Sequence, residues 1–206
     1  MIEIEERDGR RLHVLTQAGI AEEPGLLIRM AIEQGRDEAA RAALDDAQSE
    51  EPQSGEWPKL RGILELRVGN NDAAAEAFRT AEALGASARD CQLGRAGALL
   101  AIGMADEAFE LLSGAMADNP RAPELAQWLL RAGAATGRLA EVAPHLAHYL
   151  SLEPEDDAIR FAFASVNARL GRWRLARTHH ERLRRSGAIR GLQDLERVIE
   201  EEQCAA

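Results

Sequence analysis

The chain has 206 residues, enough for one large domain or a short array of repeats. Apolar residues make up 46% of it and aromatic residues only 4%, which favours closely packed helices over a β-sandwich. The net charge of −10 disfavours non-specific binding to nucleic acid, because the phosphates would repel the chain. No apolar run approaches the roughly 20 residues that span a bilayer, so membrane insertion is not expected.

The first residues alternate between apolar and charged side chains. A loop of Arg7-Asp8-Gly9 would pair Ile4 with Leu12 and Ile2 with Val14 in a bulged β-hairpin. Because an isolated hairpin is marginally stable, it should dock on the rest of the chain or on another chain; the alternative is a frayed terminus. The same stretch is too charged for a signal peptide, which predicts a cytoplasmic location.

Glycines then recur every 34 residues, at Gly35, Gly69, Gly103, Gly137 and Gly171. Three further columns keep the same register. The fifth residue after each glycine is Ala40, Ala74, Ala108, Val142 or Ala176. The ninth is Leu44, Phe78, Leu112, Leu146 or His180, and the twelfth is Ala47, Ala81, Ala115, Tyr149 or Leu183.

These columns predict helical hairpins. Glycine allows a tight turn between two helices, the small residue lets the helices approach, and the larger residue fills the space one turn later. Each hairpin leaves an apolar face that only a neighbouring hairpin can cover, so the hairpins should stack.

The period and the pattern resemble the tetratricopeptide repeat family over roughly residues 21–188. The resemblance implies an all-α, right-handed α-solenoid of antiparallel helix pairs. Val142, Tyr149 and His180 depart from the usual small or apolar residues of their columns. The predicted organisation is an N-terminal extension at 1–20, five units at 21–54, 55–88, 89–122, 123–156 and 157–188, and a C-terminal capping helix with a tail at 189–206.

The capping helix is predicted from one apolar stripe. Leu192, Leu195, Val198 and Ile199 share a helical face, while acidic residues lie off it. Such a helix suits the exposed end of a stack.

Chemical motifs are largely missing from the sequence. It contains no phosphate-binding loop, nucleophile elbow, zinc-protease motif or pair of closely spaced cysteines. His145 and His179 occupy equivalent columns, but neighbouring helices lie about 10 Å apart, which is too far for a shared metal. Cys91 has no evident base nearby and is expected to be unreactive. No catalytic residue, metal or cofactor is therefore expected.

Charge is unevenly distributed along the chain. Residues 158–190 contain nine arginines and one acid, whereas residues 1–53 contain 13 acids and six arginines. The basic segment is either a solvated helix face or a surface for an acidic protein partner, including the acidic end of another copy. RNA is the least favoured alternative, because aromatic residues for stacking are few.

In tetratricopeptide repeat proteins the first helix of each unit lines a concave face that binds peptides, and the resemblance implies the same here. One stripe of residues upstream of each glycine would form that face, with five positive charges, one negative charge and a small, apolar middle. This pattern favours a peptide with apolar anchors and acidic groups; the alternative is that the charges only solvate the face. The predicted partner-binding residues are Arg29, Lys59, Arg67, Leu93, Gly97, Ala101, Gln127, Arg131, Ala134, Phe161 and Arg169.

The function predicted from the sequence is a non-catalytic protein–protein interaction scaffold. A self-assembling scaffold, a homo-oligomer joined end to end or through its groove, is the alternative. The stripe contains no asparagine, which argues against the family's chaperone-binding members.

Overall fold

A computed structural model describes residues 3–7, 11–16, 19–21, 24–187 and 192–204. The chain divides into two compact units, Met1–Gly103 and Met104–Ala206. The division falls at Gly103, between the two helices of the predicted third repeat.

The first unit begins with a small antiparallel sheet of three strands in the order β1-β2-β3. The strands are β1 (Glu3–Arg7), β2 (Arg11–Thr16) and β3 (Gly19–Ala21). Five helices follow: α1 (Pro24–Glu33), α2 (Asp37–Glu50), α3 (Glu56–Val68), α4 (Asn71–Ala83) and α5 (Ala88–Ala101). Strand β2 lies against α1 and α2, so the sheet packs on the helices of its own unit.

The predicted pairing of the first two strands was wrong by two residues. Ile4 lies opposite Val14, not Leu12, and the ladder closes with Arg7 opposite Arg11. The connection is therefore residues 8–10, not 7–9, and it lies outside the described residues, as does Ile2. A shift of two positions keeps every side chain on its original face, so an alternating pattern fits both registers equally well.

The second unit contains six described helices. They are α6 (Ala105–Asp118), α7 (Pro123–Thr136), α8 (Leu139–Leu152), α9 (Asp157–Arg169), α10 (Trp173–Ser186) and α11 (Leu192–Cys204). Within each unit, every helix packs against the next one in the chain, and alternate helices also touch: α1 with α3, α3 with α5, and α7 with α9. Each unit is thus a layered stack of helices.

The repeating glycines occupy turns that require a left-handed backbone. All five have φ between +69° and +84°, a region that only glycine enters without strain. At Gly35 the amide of Arg36 donates to the carbonyl of Ala31 (2.9 Å), and the Gly35 amide donates to that of Ile32 (3.1 Å). This pair of bonds ends the first helix of the pair and reverses the chain.

The residues that the spacing singled out all lie in the core. All fifteen residues of the three columns are buried, from fully enclosed alanines to His180, which is 7% exposed. Phe78 shows how tightly the helices meet, since a Cβ on Gly62 would lie 2.9 Å from its ring. Leu195 and Ile199 of α11 bury themselves against Ala176 and Leu183 of α10, as a capping helix should.

Candidate functional site

A cleft of about 340 Å³ opens between α7 and α9 in the second unit. Its lining comes from α7, from the first residue of α8 and from α9: Gln127, Leu130, Arg131, Ala134, Leu139, Phe161, Ala162, Ser165, Val166 and Arg169. The cleft exists because small residues face it from both helices, Ala134 from α7 and Ala162 from α9. Larger side chains at these positions would fill the space.

The floor of the cleft is apolar. Phe161 is the largest group on it and is only partly buried. The Phe161 ring also packs against the core cluster that includes residues of α11. This contact helps to hold the α9 side of the cleft in place. Ser165 donates its hydroxyl to the Phe161 carbonyl (2.9 Å), which satisfies the serine within its own helix. The floor therefore offers apolar contact more than hydrogen bonding.

Two arginines provide the charge of the cleft. Arg131 and Arg169 are both exposed, and within the described part of the chain neither guanidinium has a carboxylate at ion-pair distance. The Arg131 guanidinium carbon lies 4.9 Å from the centroid of the Trp128 ring, a cation–π contact that restricts the side chain. Gln127 lies one turn before Arg131 and adds an amide on the same side of α7.

In the first unit the cations of the predicted site have acidic partners. Glu56 lies between two of them: it pairs with Arg29, and its Oε2 is 2.5 Å from the Lys59 Nζ. Partial burial raises the pKa of Glu56, but hydrogen bonds from Lys59 and Arg29 outweigh this and lower it below the ordinary value. Arg67 pairs with Asp37 of α2. All three predicted site cations of the first unit are therefore already paired, with Arg29 and Lys59 sharing one carboxylate.

No protein-family model matches the sequence, and no curated protein matches it. Solved structures do match. The Pseudomonas aeruginosa protein pilF has a TM-score of 0.65 and 19% identity, over 87% of this chain and 84% of that one. TTC0263, a thermophilic TPR protein of Thermus thermophilus, has a TM-score of 0.52 and 22% identity, over 89% of this chain and 98% of that one. YrrB, a TPR protein with an unusual peptide-binding site, has a TM-score of 0.64 and 15% identity, over 89% of this chain and 91% of that one.

The chain has the tetratricopeptide repeat (TPR) fold. The helix pairs of the two units are the pairs of that fold, and α7 and α9 are the first helices of two successive TPR pairs. The cleft thus lies on the side of the repeats where the resemblance implied a binding face.

The structure places five of the eleven predicted residues around the TPR cleft: Gln127, Arg131, Ala134, Phe161 and Arg169. The other six belong to the first unit. Arg29 lies on α1, Lys59 and Arg67 on α3, and Leu93, Gly97 and Ala101 on α5. Leu93 and Gly97 are partly buried and Ala101 is exposed.

Five lining residues were not among the predicted binding residues. Ser165 lay on the predicted stripe, whereas Leu130, Leu139, Ala162 and Val166 lay outside it. Three of these four were within reach of the same argument. Leu130 lies one turn from Ala134. Ala162 directly follows Phe161, and Val166 directly follows Ser165, and both of these preceding residues belong to the stripe. A single stripe covers only the residues along the centre of one helix face, whereas a cleft is lined by residues on the sides of two helices. Leu139 comes from the start of α8 and carried no signal in the stripe.

The other groups considered for chemistry are structural. Cys91 is fully buried, and burial, followed by the nearby Glu82, raises the pKa of its thiol to about 11, so the thiolate is scarce at neutral pH. The Nε2 of His145 lies 3.1 Å from the Ser113 hydroxyl, with which it shares a hydrogen bond.

Two kinds of feature are absent from the described residues. No group of three or more histidine, cysteine or acidic residues there is arranged to hold a metal ion. No described helix has both the length and the apolar character that crossing a bilayer requires.

Proposed function

We propose that this TPR chain is a non-catalytic scaffold that binds a segment of another protein in the cleft between α7 and α9. The segment carries an apolar anchor side chain with acidic residues beside it. One observation carries the proposal: Arg131 and Arg169 are exposed beside an apolar floor and have no carboxylate partner in the described chain.

The chemistry of the cleft fits such a segment. A guanidinium can hold a carboxylate through two parallel hydrogen bonds, and these bonds gain strength beside an apolar surface that excludes water. The volume of about 340 Å³ is at the lower end of the range for ligand pockets, which suits anchoring side chains of a peptide. Phe161 and Leu130 would contact the anchor.

The proposal extends to the first unit, where Arg29, Lys59 and Arg67 occupy the same helical columns, together with Leu93, Gly97 and Ala101. A partner carboxylate there has to displace Glu56 or Asp37 from its cation. We therefore expect these first-unit residues to contact an acidic segment more weakly and mainly through apolar groups. The peptide-binding site described for YrrB, a protein with the same fold, supports the general mode of binding.

The test uses peptides as probes. Random 12-residue peptides displayed on phage are selected on the folded protein, and the enriched peptides are synthesised with a fluorophore. We expect enrichment of an aromatic or aliphatic residue next to Asp or Glu, and binding that weakens as salt is added. Replacing the acids of a selected peptide with amides should weaken binding at least tenfold.

Three variants locate the site. Arg131→Glu should weaken peptide binding at least tenfold, and Ala134→Trp should do the same by filling the floor. Arg174→Glu is the matched control, because Arg174 is also exposed and without a described ion pair but does not line the cleft. If Arg131→Glu and Ala134→Trp both bind at full strength while remaining helical by circular dichroism, the cleft is not the site.

A self-assembling scaffold is the second candidate function. The observation that favours it is the division of charge between helix α2 of the first unit and helix α10 of the second.

A further inference from the structure

Helix α10 has two opposite faces. Ala176, His180 and Leu183 are buried, and the cluster that includes Ala176 and Leu183 also contains residues of α11. The opposite face is formed by exposed residues spaced at helical intervals, which we call the basic face: Arg174, Arg177, Glu181, Arg184 and Arg185.

The basic face contains four arginines and only one acid. Its single acid, Glu181, lies 3.9 Å from the Arg185 guanidinium, a distance at the edge of an ion pair. Arg174 and Arg184 have no ion-pair partner among the described residues. Leu175 borders the face and is 39% exposed, which adds apolar area. A chain of net charge −10 thus presents a concentrated positive surface on one helix.

Helix α2 presents the opposite charge. Ala40, Leu44 and Ala47 are its buried residues. The acidic face, which we define as Glu38, Asp46 and Glu50, is exposed. None of these three carboxylates has a described ion pair, whereas the neighbouring Asp45 does, with its Oδ1 2.5 Å from Nη2 of Arg61.

The two faces are similar in length as well as opposite in charge. At a rise of about 1.5 Å per residue, Glu38 to Glu50 covers about 18 Å and Arg174 to Arg185 about 16 Å. Both helices have 14 residues. Charges arranged over equal lengths can pair along the whole contact without leaving one end unmatched.

We propose that the basic face of α10 docks on the acidic face of α2 of a second copy of this chain. The inference rests on the second candidate function and is independent of the cleft. Because each copy has one face of each kind, the contact is heterologous and can continue from copy to copy. Exposed ion pairs are individually weak, about 0.2–1 kcal/mol each, so the association should be weak, salt-sensitive and dependent on concentration.

Sedimentation velocity over a wide range of protein concentration tests the proposal. At low salt the average mass should rise with concentration, and at high salt it should return to that of the monomer. A wild-type chain that remains monomeric at low salt at the highest concentration would overturn the proposal. So would association that salt does not weaken.

Charge exchange supplies the decisive experiment. The double variant Arg174→Glu/Arg184→Glu has two acidic faces, and Asp46→Arg/Glu50→Arg has two basic faces. Each should lose self-association at least tenfold, and an equimolar mixture should recover it, because each variant again finds the opposite charge on the other. Asp46 and Glu50 lie in the C-terminal half of α2, where arginine is compatible with the helix dipole.

Two comparisons complete the test. Circular dichroism should show that both double variants keep the wild-type helix content. Arg131→Glu should self-associate like the wild type, and Arg174→Glu/Arg184→Glu should still bind the selected peptides, so that failure of the cleft and failure of the contact are distinguishable. A mixture that stays monomeric overturns the proposal. So does a chain that binds anionic lipid vesicles or an acidic peptide through the basic face of α10 but does not bind a second copy.

Discussion

The first helices of the two units carry cations at the same positions of the repeat. The two units differ in whether these cations have a carboxylate partner. In the first unit Arg29 and Lys59 share Glu56, and Arg67 pairs with Asp37. In the second unit Arg131 and Arg169 have no described carboxylate partner and lie beside an apolar cleft. The same fold therefore presents cations that are already paired in one unit and available cations in the other.

This difference shows that a repeat position does not determine a role by itself. A cation that is already paired loses its hydrogen bonds to a neighbour before it can bind a partner, so its net contribution to binding is small. A cation without a carboxylate can bind one at full strength. The presence of a nearby acid, not the repeat column, separates an arginine that is already paired from one that is available to a ligand.

The largest expected effect tests whether the units differ in their cores as well as in charge. Phe78 of the first unit and Phe109 of the second are almost fully buried. Phe78→Ala and Phe109→Ala should each lower the free energy of unfolding by about 3–5 kcal/mol, because each leaves a cavity between packed helices. Urea denaturation measures this. A cost below about 1 kcal/mol for only one of them would show that the cores differ in packing.

The next effect tests the availability of the cations. Arg131→Gln should weaken binding of a selected acidic peptide by about tenfold to a hundredfold, the value of a charged hydrogen bond. Arg29→Gln should change it by no more than about threefold, because Glu56 already holds that guanidinium. Fluorescence anisotropy gives both affinities, and equal losses would remove the distinction between the units.

The reverse change sharpens the comparison. Glu56→Gln removes the carboxylate that holds Arg29 and Lys59 and should make the first unit attractive to acidic peptides. We expect a gain of severalfold in affinity, largest at low salt. Glu76→Gln is a suitable control, because Glu76 is an exposed acid whose partner, Arg79, lies outside the predicted site. An unchanged affinity for Glu56→Gln would mean that the first unit takes no part in binding.

A smaller effect appears in stability without any partner. Arg67→Ala leaves Asp37 without its cation and should cost about 0.5–1 kcal/mol. Arg169→Ala removes a side chain with no described ion pair and should be nearly neutral. The two midpoints of urea denaturation decide this, and a larger cost for Arg169→Ala would show that this residue has a structural role.

Much of this fold could be predicted from the sequence because its signals are local. A glycine every 34 residues marks turns that need a positive φ, and the columns after it mark residues that must be buried. The third strand, Gly19–Ala21, was missed because three residues are too few to show a period. The register of the first hairpin was wrong because registers two residues apart place the same side chains on the same faces.

The candidate site was only partly predictable. The stripe along the first helices located Arg131 on α7 and Phe161 on α9 but not Leu139, which reaches the cleft from α8. The pairing of Lys59 with Glu56 could have been suspected from their spacing of three residues along α3. The pairing of Arg67 with Asp37 joins two helix pairs and depends on side-chain geometry that spacing does not record.

The smallest expected effect is a pH dependence of stability that comes from two histidines of the second unit. Burial, followed by the charge of His148, lowers the pKa of His145, and burial, followed by Arg160 and Arg182, lowers that of His179. Residues 24–103 contain no histidine. In the unfolded chain both groups titrate near their ordinary pKa of about 6.5.

The sign of this effect follows from proton binding. As the pH falls below about 6.5, His145 and His179 become protonated in the unfolded chain before they do in the folded chain. The free energy of unfolding therefore decreases. The full stability is present above that pH and is lost progressively as the pH approaches the lower, folded-state pKa values. Acidic groups such as Glu56, whose pKa is lowered by its cations, act in a separate and more acidic range. Urea denaturation at a series of pH values should show this slope in the wild type, and His145→Gln/His179→Gln should flatten it. An identical slope in the double variant would mean that other groups control stability in this range.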